Sequence, residues 1–288
     1  MPASAARRRD RLRSLTVRGV QVRVSVRPAR GRLAAEPPLL LCNGIGASLE
    51  VLQPLVDALD PDRGVIRFDV PGVGGSPLPR TPYVLASLAP WVAAVAAQLG
   101  HRELDVLGLS WGGGLAQQLA VQCRRRVRRV VLVATGTGSL MVPAHPRVLA
   151  KMFTPRRHRD PTYARLIAAE IYGGSVRTDP ARAAELLHAA TRAGPRRGYY
   201  YQLAATAGWT SLPCLPLLRQ PTLLLAGDDD PIVPLVNAKV MARLIPRSRL
   251  HVYAGGHLGV LTESAELAPV VDAFLSGPAP AVRQHRAE

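Results

Sequence analysis

The 288-residue sequence predicts an α/β domain: a mostly parallel, eight-stranded sheet flanked by helices, with one helical insertion. Three observations lead there. Short apolar runs of strand length alternate with longer, helix-like stretches. Each run is followed by a turn-forming string, most of them rich in glycine. The alternation breaks once, between about Val142 and Leu218. A chain of this length buries roughly three quarters of its unfolded surface, so a substantial core is within reach.

The elements follow in order. Residues 1–12 are basic and lack the apolar run of a secretory leader, so they are expected to be a disordered tail. Leu15 to Arg27 alternates apolar and polar residues around Gly19 and predicts two strands or a hairpin. Six further strands are predicted at LLLC (39–42), VIRFD (65–69), LDVLGL (104–109), RVVLVA (129–134), PTLLLA (221–226) and LHVYA (250–254). Strands separated by helices join through right-handed crossovers and lie parallel. The strings after them are NGIG, DVPGVGG, SWGGG, TGTG, GDDD and GGH. They fall at the carboxyl ends of the strands, where open α/β sheets bind ligands.

The insertion lies between the sixth and seventh strands. Asp160-Pro161 opens one helix, which stops at Gly173-Gly174, and Asp179-Pro180 opens another, which stops at Gly194. Asp as N-cap, Pro at the first helical position and Gly past the end are local start and stop signals. The expected organisation is a core of residues 13–140 and 219–276, a helical cap of residues 141–218, and disordered tails at 1–12 and 277–288.

Composition limits the function classes. The longest apolar stretch, Leu88 to Leu99, contains Pro90 and is too short to span a bilayer. Cys42, Cys123 and Cys214 are scattered without metal-ligand spacing. They suggest a reducing compartment and buried, inert thiols, and no metal or cofactor is expected. The net charge is +17, with 35 arginines and two lysines, Lys151 and Lys239. Residues 1–32 carry +9 and residues 141–218 carry +7, leaving the remainder near neutral. Such a pattern bears on partners rather than on fold. No nucleic-acid-binding motif accompanies it, so no nucleic-acid partner is expected.

One stretch carries chemistry. Gly108-Leu109-Ser110-Trp111-Gly112 matches G-x-S-x-G once, between a predicted strand (104–109) and a predicted helix (112–122). The arrangement resembles the nucleophile elbow of the α/β-hydrolase fold. A sharp turn lifts the serine hydroxyl off the sheet, and side chains two positions away would strike backbone, hence Gly108 and Gly112. A serine needs a base. Of seven histidines, His257 in AGGHLG lies just beyond the carboxyl end of the last predicted strand. In this fold the orienting acid falls between serine and histidine. The turn after strand six, TGTG, has no carboxylate, so the acid is among Asp228, Asp229 and Asp230. Resemblance to the fold's G-x-x-D-x-x-x-P pattern selects Asp230, directly before Pro231. Asn43-Gly44-Ile45-Gly46 occupies the place of the fold's oxyanion loop, so the N–H groups of Ile45 and Trp111 are the expected oxyanion donors. Asp69, in FDVPGVGGS, is expected to hold a turn.

With these residues in view, the chain resembles the intracellular medium-chain-length polyhydroxyalkanoate depolymerases of the α/β-hydrolase superfamily. The likeness rests on CNGIGASLE, FDVPGVGGS, LGLSWGGGLAQQLA, EIYGGS, GYYYQLAATAGWTS, LAGDDDPIVPL and GGHL, over roughly residues 37 to 275. It implies hydrolysis of storage-polyester ester bonds to 3-hydroxy acids, a triad of Ser110, Asp230 and His257, and no cofactor. It also implies a cytoplasmic protein associated with the polyester granule surface. The cap residues Met152, Phe153, Ile171, Tyr199, Tyr200, Tyr201 and Trp209 suit an apolar lid over a hydrophobic 3-hydroxyacyl ester. Rival readings are a 3-hydroxyacyl transferase with a thiol acceptor, another carboxylesterase or lipase-like hydrolase, and a non-enzymatic binder.

Overall fold

The computed structural model describes residues 10–188, 192 and 194–281, with only the backbone at 182 and 183. The strands are β1 (Arg11–Val17), β2 (Val20–Arg27), β3 (Leu39–Cys42), β4 (Val65–Phe68), β5 (Leu104–Leu109), β6 (Val127–Val133), β7 (Thr222–Gly227) and β8 (Ser248–Tyr253). They form one sheet in the order β1-β2-β4-β3-β5-β6-β7-β8. β1 pairs antiparallel with β2 across Arg18 and Gly19, and β2 antiparallel with β4; the remaining pairs are parallel.

The helices in chain order are α1 (Gln53–Ala58), α2 (Leu85–Gln98), α3 (Trp111–Gln122), α4 (Pro146–Met152), α5 (Pro161–Tyr172), α6 (Pro180–His188), α7 (Arg196–Thr206), α8 (Leu235–Leu244), α9 (Gly259–Thr262) and α10 (Ser264–Ser276). The central strands are apolar at nearly every position because both faces are covered. Successive side chains point to opposite faces. Thus Leu40, Cys42, Val106 and Leu132 pack into one core with α2 and α3, while Leu39, Leu41, Leu107 and Val131 pack into another with α1 and α10.

Helices α4 to α7 lie between β6 and β7. α5 starts where its caps dictate: Asp160 Oδ1 accepts the Tyr163 N–H (2.9 Å), Pro161 occupies the first turn and Gly173 follows at φ +63°. Its buried residues Ala164, Ile167, Ala168 and Ile171 recur at helical spacing and form one apolar face. The described part of α6 runs Pro180–His188, and most of the stretch between it and the expected stop at Gly194 lies outside the described residues.

The expected tails differ at their inner edges. Arg11 and Leu12 belong to β1 rather than to a tail, and Asp10 pairs with Arg67 and accepts from Ser25 Oγ (3.2 Å). At the other end, Arg247 Nε donates to Pro280 O (3.3 Å). Residues 1–9 and 282–288 lie outside the described residues. Of the cysteines, only Cys42 is fully buried, which pushes its thiol pKa up to about 12; Cys123 and Cys214 are half-buried.

A charge fixed in the sheet tests this packing. Asp105 on β5 is fully buried, and Arg128 holds it with two bonds, Nε to Oδ1 (2.9 Å) and Nη2 to Oδ2 (2.6 Å). Burial pushes the Asp105 pKa up and Arg128 pulls it back. Removing the cation in Arg128→Met leaves a buried carboxylate and should cost about 2–3 kcal/mol, below the full figure for a wholly buried pair because Arg128 is partly exposed. Thermal melts should show a Tm lower by roughly 5–10 °C at pH 7. The gap should narrow as pH falls, because protonated Asp105 no longer needs the cation.

Candidate active site

The first requirement is a hydroxyl held clear of the sheet. Ser110 follows β5 directly and adopts φ +54°, ψ −117°, a conformation that non-glycine residues rarely occupy. Its N–H donates to Val133 O (2.9 Å). Its carbonyl accepts from Thr135 Oγ1 (2.7 Å) and from the Gly113 N–H (2.8 Å). The neighbouring glycines have a measurable cause. A Cβ on Gly108 would stand 2.3 Å from Gly112 O, and one on Gly112 would stand 2.1 Å from Cys42 O. Both distances are far inside van der Waals contact.

The second requirement is an oriented base. His257 sits in the loop after β8, and its N–H donates to Tyr172 O (2.7 Å), so the end of α5 sets its backbone. Its Nδ1 lies 2.8 Å from Asp230 Oδ2, and the two side chains are 5% and 1% exposed. An ionised carboxylate only accepts, so Nδ1 carries the proton in this contact, which leaves Nε2 of the neutral ring as an acceptor. Asp230 Oδ1 is held separately by the N–H groups of Ile232 and Val233, both at 2.9 Å. One oxygen is thus fixed by its own turn and the other by the imidazole.

The adjacent carboxylates do other work. Asp228 Oδ1 accepts the Gly255 N–H (2.9 Å) and ties the two loops together. Asp229 faces outward, where the Arg177 fork grips both its oxygens (2.6 and 2.8 Å) and Gly174 N–H donates to it (2.7 Å). Asp69 is buried elsewhere, accepting the N–H groups of Leu49 and Gly75 (both 2.7 Å) and pairing with Arg23 (3.0 Å).

Ser110 stands between two cavities. A small one, ≈ 40 Å³, is lined by Ser110, His257, Ile45 and Leu258 from the core, and by Met152, Arg157, His158 and Tyr172 from the segment between β6 and β7. A large one, ≈ 480 Å³, is lined by Ser110, Ile45, Trp111, Met141, Leu149, Met152, Phe153, Leu203, Trp209 and Ile232. Both expected oxyanion residues, Ile45 and Trp111, border the large cavity beside Ser110. Gln202 of α7 joins them: its Oε1 accepts the Gly46 N–H (2.7 Å) and its backbone O accepts from Trp111 Nε1 (2.8 Å).

The apolar lid residues divide. Met152, Phe153 and Trp209 line the large cavity. Ile171 is core, Tyr200 is exposed, Tyr201 packs edge-on against Tyr83 (6.4 Å), and Tyr199 is buried beside Arg157. Sequence reasoning missed Arg157, His158 and Tyr172. Three arginines crowd the stretch RRHRD, and nothing in their spacing marks Arg157 as the one turned inward.

The fold is shared with known proteins. Residues 37–264 match the alpha/beta hydrolase fold family. The chain is 46% identical over 264 residues to a poly(3-hydroxyalkanoate) depolymerase of Ectopseudomonas oleovorans, covering 91% of this chain and 92% of that one. It is 30% identical to a 2-hydroxymuconate semialdehyde hydrolase of Pseudomonas putida, over 74% of this chain and 77% of that one. Among solved structures it is similar to the enol-lactonase of Burkholderia xenovorans LB400 (TM-score 0.78, 21% identity, 92% of this chain and all of that one). It is also similar to a hydrolase of Pseudomonas aeruginosa PA01 (TM-score 0.76, 26% identity, 92% and 98%).

The three neighbouring aspartates give a direct test. Asp230→Asn should lower kcat for ester hydrolysis by about 10⁴-fold, since an amide there can hold the wrong imidazole tautomer. Asp228→Asn and Asp229→Asn should change kcat by less than about tenfold and act on thermal stability instead. Parallel kinetics and melts of the three variants distinguish the roles.

Proposed function

The chain belongs to the alpha/beta hydrolase fold family, and on that footing we propose that it is a serine esterase. Its proposed substrates are the ester bonds of medium-chain-length poly(3-hydroxyalkanoate), which it hydrolyses to 3-hydroxy acids. The observation that carries the reading is the 2.8 Å contact between His257 Nδ1 and the buried Asp230 carboxylate, beside a cavity shared with Ser110. The substrate class rests on the 46% identity to the depolymerase and on the large apolar cavity, which suits an alkyl side chain.

The chemistry is acyl transfer. Ser110 Oγ attacks the ester carbonyl while His257 Nε2 takes its proton. The N–H groups of Ile45 and Trp111 receive the developing oxyanion. His257 returns the proton to the leaving oxygen and then activates the water that cleaves the acyl-enzyme. Asp230 holds the ring in place and offsets the charge it acquires.

The proposed place of action is the surface of cytoplasmic polyester granules. Among the described residues no helix is long and apolar enough to cross a membrane. The basic excess supports attachment to an acidic surface. Part of it is exposed, as at Arg11, Arg13, Arg165 and Arg196, and part is not free for such a surface, as at the buried Arg157 and at Arg177, which pairs with Asp229.

Incubation with emulsified medium-chain polyester should release free 3-hydroxy acids whether or not coenzyme A is present. Products seen only as thioesters would identify a transferase instead. Ser110→Ala, with an unchanged melting curve, should lose on the order of 10⁶ in rate; retention of more than about a tenth of the activity would remove Ser110 as nucleophile. Co-sedimentation with granules should weaken as salt rises above about 0.1 M, where exposed charges are screened within ~10 Å. Binding that strengthens with salt would mean apolar adsorption.

A further inference from the structure

One cation of the cap is buried with no anion among the described residues to meet it. Arg157, in the turn Pro155–His158, is 2% exposed. Its Nη1 donates to Tyr199 Oη (2.9 Å), and the guanidinium carbon lies 5.5 Å from the centre of that ring. Among the described residues no carboxylate pairs with it. Among the described residues its Nε and His158 Nε2 are buried without a hydrogen-bond partner at close distance, and Tyr172 Oη, also without one at close distance, stands near enough to act on the guanidinium. Other buried arginines are met by a carboxylate: Arg63 pairs with Asp272 and Arg67 with Asp10, although Arg67 Nε is itself left without a partner. A guanidinium removed from water is stable only against an anion or a full set of acceptors. Desolvation and the adjacent Arg157 cation push the His158 pKa well below its ordinary value, so a neutral imidazole able to donate one N–H stands beside the guanidinium.

The position of this cluster indicates a ligand. Arg157, His158 and Tyr172 line the small cavity with Ser110 and His257, whereas the large apolar cavity is lined by Ser110 without His257 or Arg157. The group that protonates the departing oxygen must face the leaving alcohol. The small cavity is therefore the leaving-group side, and the large one is the acyl side. At the carboxyl end of a poly(3-hydroxyalkanoate) the leaving alcohol is a 3-hydroxy acid. Its carboxylate is one methylene from the carbon that bears the departing oxygen, close enough for one small cavity to hold both.

Resting on the esterase reading above, we propose that Arg157, with His158 and Tyr172, binds the terminal carboxylate of the polyester, so that the protein cleaves 3-hydroxy acids one at a time from the carboxyl end. The Ser110 Oγ–carbonyl carbon bond forms as the serine proton moves to His257, and the ester C–O bond breaks as that proton passes to the leaving oxygen. The product departs as an alcohol with its carboxylate still ionised. Water then adds to the acyl carbon as His257 takes one of its protons, the acyl carbon–Ser110 Oγ bond breaks as that proton passes to Oγ, and the acid so formed gives its remaining proton to solvent. The shortened chain is released with a new carboxylate end, which is the ligand for the next cycle.

The test compares three substrates: a 3-hydroxyoctanoate dimer as the free acid, its methyl ester, and p-nitrophenyl octanoate. The wild type should prefer the free acid over the methyl ester by about 10–100-fold in kcat/KM, mainly through KM, the scale of a charge-assisted contact. Arg157→Gln should lose at least about tenfold more on the free-acid dimer than on p-nitrophenyl octanoate, and Arg157→Lys should recover part of the difference. In the wild type alone, 3-hydroxyoctanoate should inhibit p-nitrophenyl octanoate hydrolysis competitively while its methyl ester does not. This last arm needs no variant to fold. Equal use of both dimers, equal losses on all substrates, or equal inhibition by acid and ester would overturn the carboxylate site and leave the esterase reading standing. Turnover of p-nitrophenyl octanoate with neither dimer cleaved would overturn the 3-hydroxyacyl reading and this inference with it.

Discussion

Everything at the site depends on one residue held against its backbone preference. A serine at φ +54° sits outside the regions its side chain favours, at a cost of order 1–3 kcal/mol. Nothing local rewards that conformation; the surroundings impose it. β6 grips the serine N–H, Thr135 grips its carbonyl, and β3 passes so close that only hydrogen fits at Gly112. The parallel sheet is what supplies these neighbours. Strands on both sides of β5 must be in register before the turn can be strained, so the elbow is a tertiary product rather than a local motif.

The same sheet explains how charge is managed. Its interior accepts arginine where a carboxylate has been brought to meet it, as with Asp105, Asp10 and Asp272. These pairs cross between elements distant in sequence, so they join layers more than they strengthen any one element. Arg157, buried beside the small cavity, has no such carboxylate among the described residues. Its neighbours Arg156 and Arg177 are spent on exposed carboxylates, Asp160 and Asp229. The basic excess of the insertion is thus not one property: some of it is surface, some is a fastening, and one residue is turned inward.

How much of this could be read beforehand follows from the range of each interaction. The strands were legible because apolar runs and the turns after them are local. Ser110 and His257 were legible because glycine punctuation marks the carboxyl ends of strands. The choice among Asp228, Asp229 and Asp230 was not settled by composition or spacing, since all three share one turn; the difference is which way each side chain leaves it. The start of β1 is hidden because Arg11 and Leu12 follow a run of arginines that looks like tail, yet Asp10 pairs with Arg67, 57 positions later. Arg157, His158 and Tyr172 were illegible for the same reason. Their inward orientation is decided by packing against the core and carries no sequence period.

Gln202 draws the two halves of the molecule into a single working part. One amide of the insertion holds the loop beside Ile45 through Gly46, and its own carbonyl holds the indole of Trp111. The loop that carries one expected oxyanion donor, and the side chain of the residue that carries the other, are therefore braced from outside the sheet. A change at position 202 would be felt at two points beside Ser110 at once, although Gln202 lines neither of the cavities that Ser110 borders.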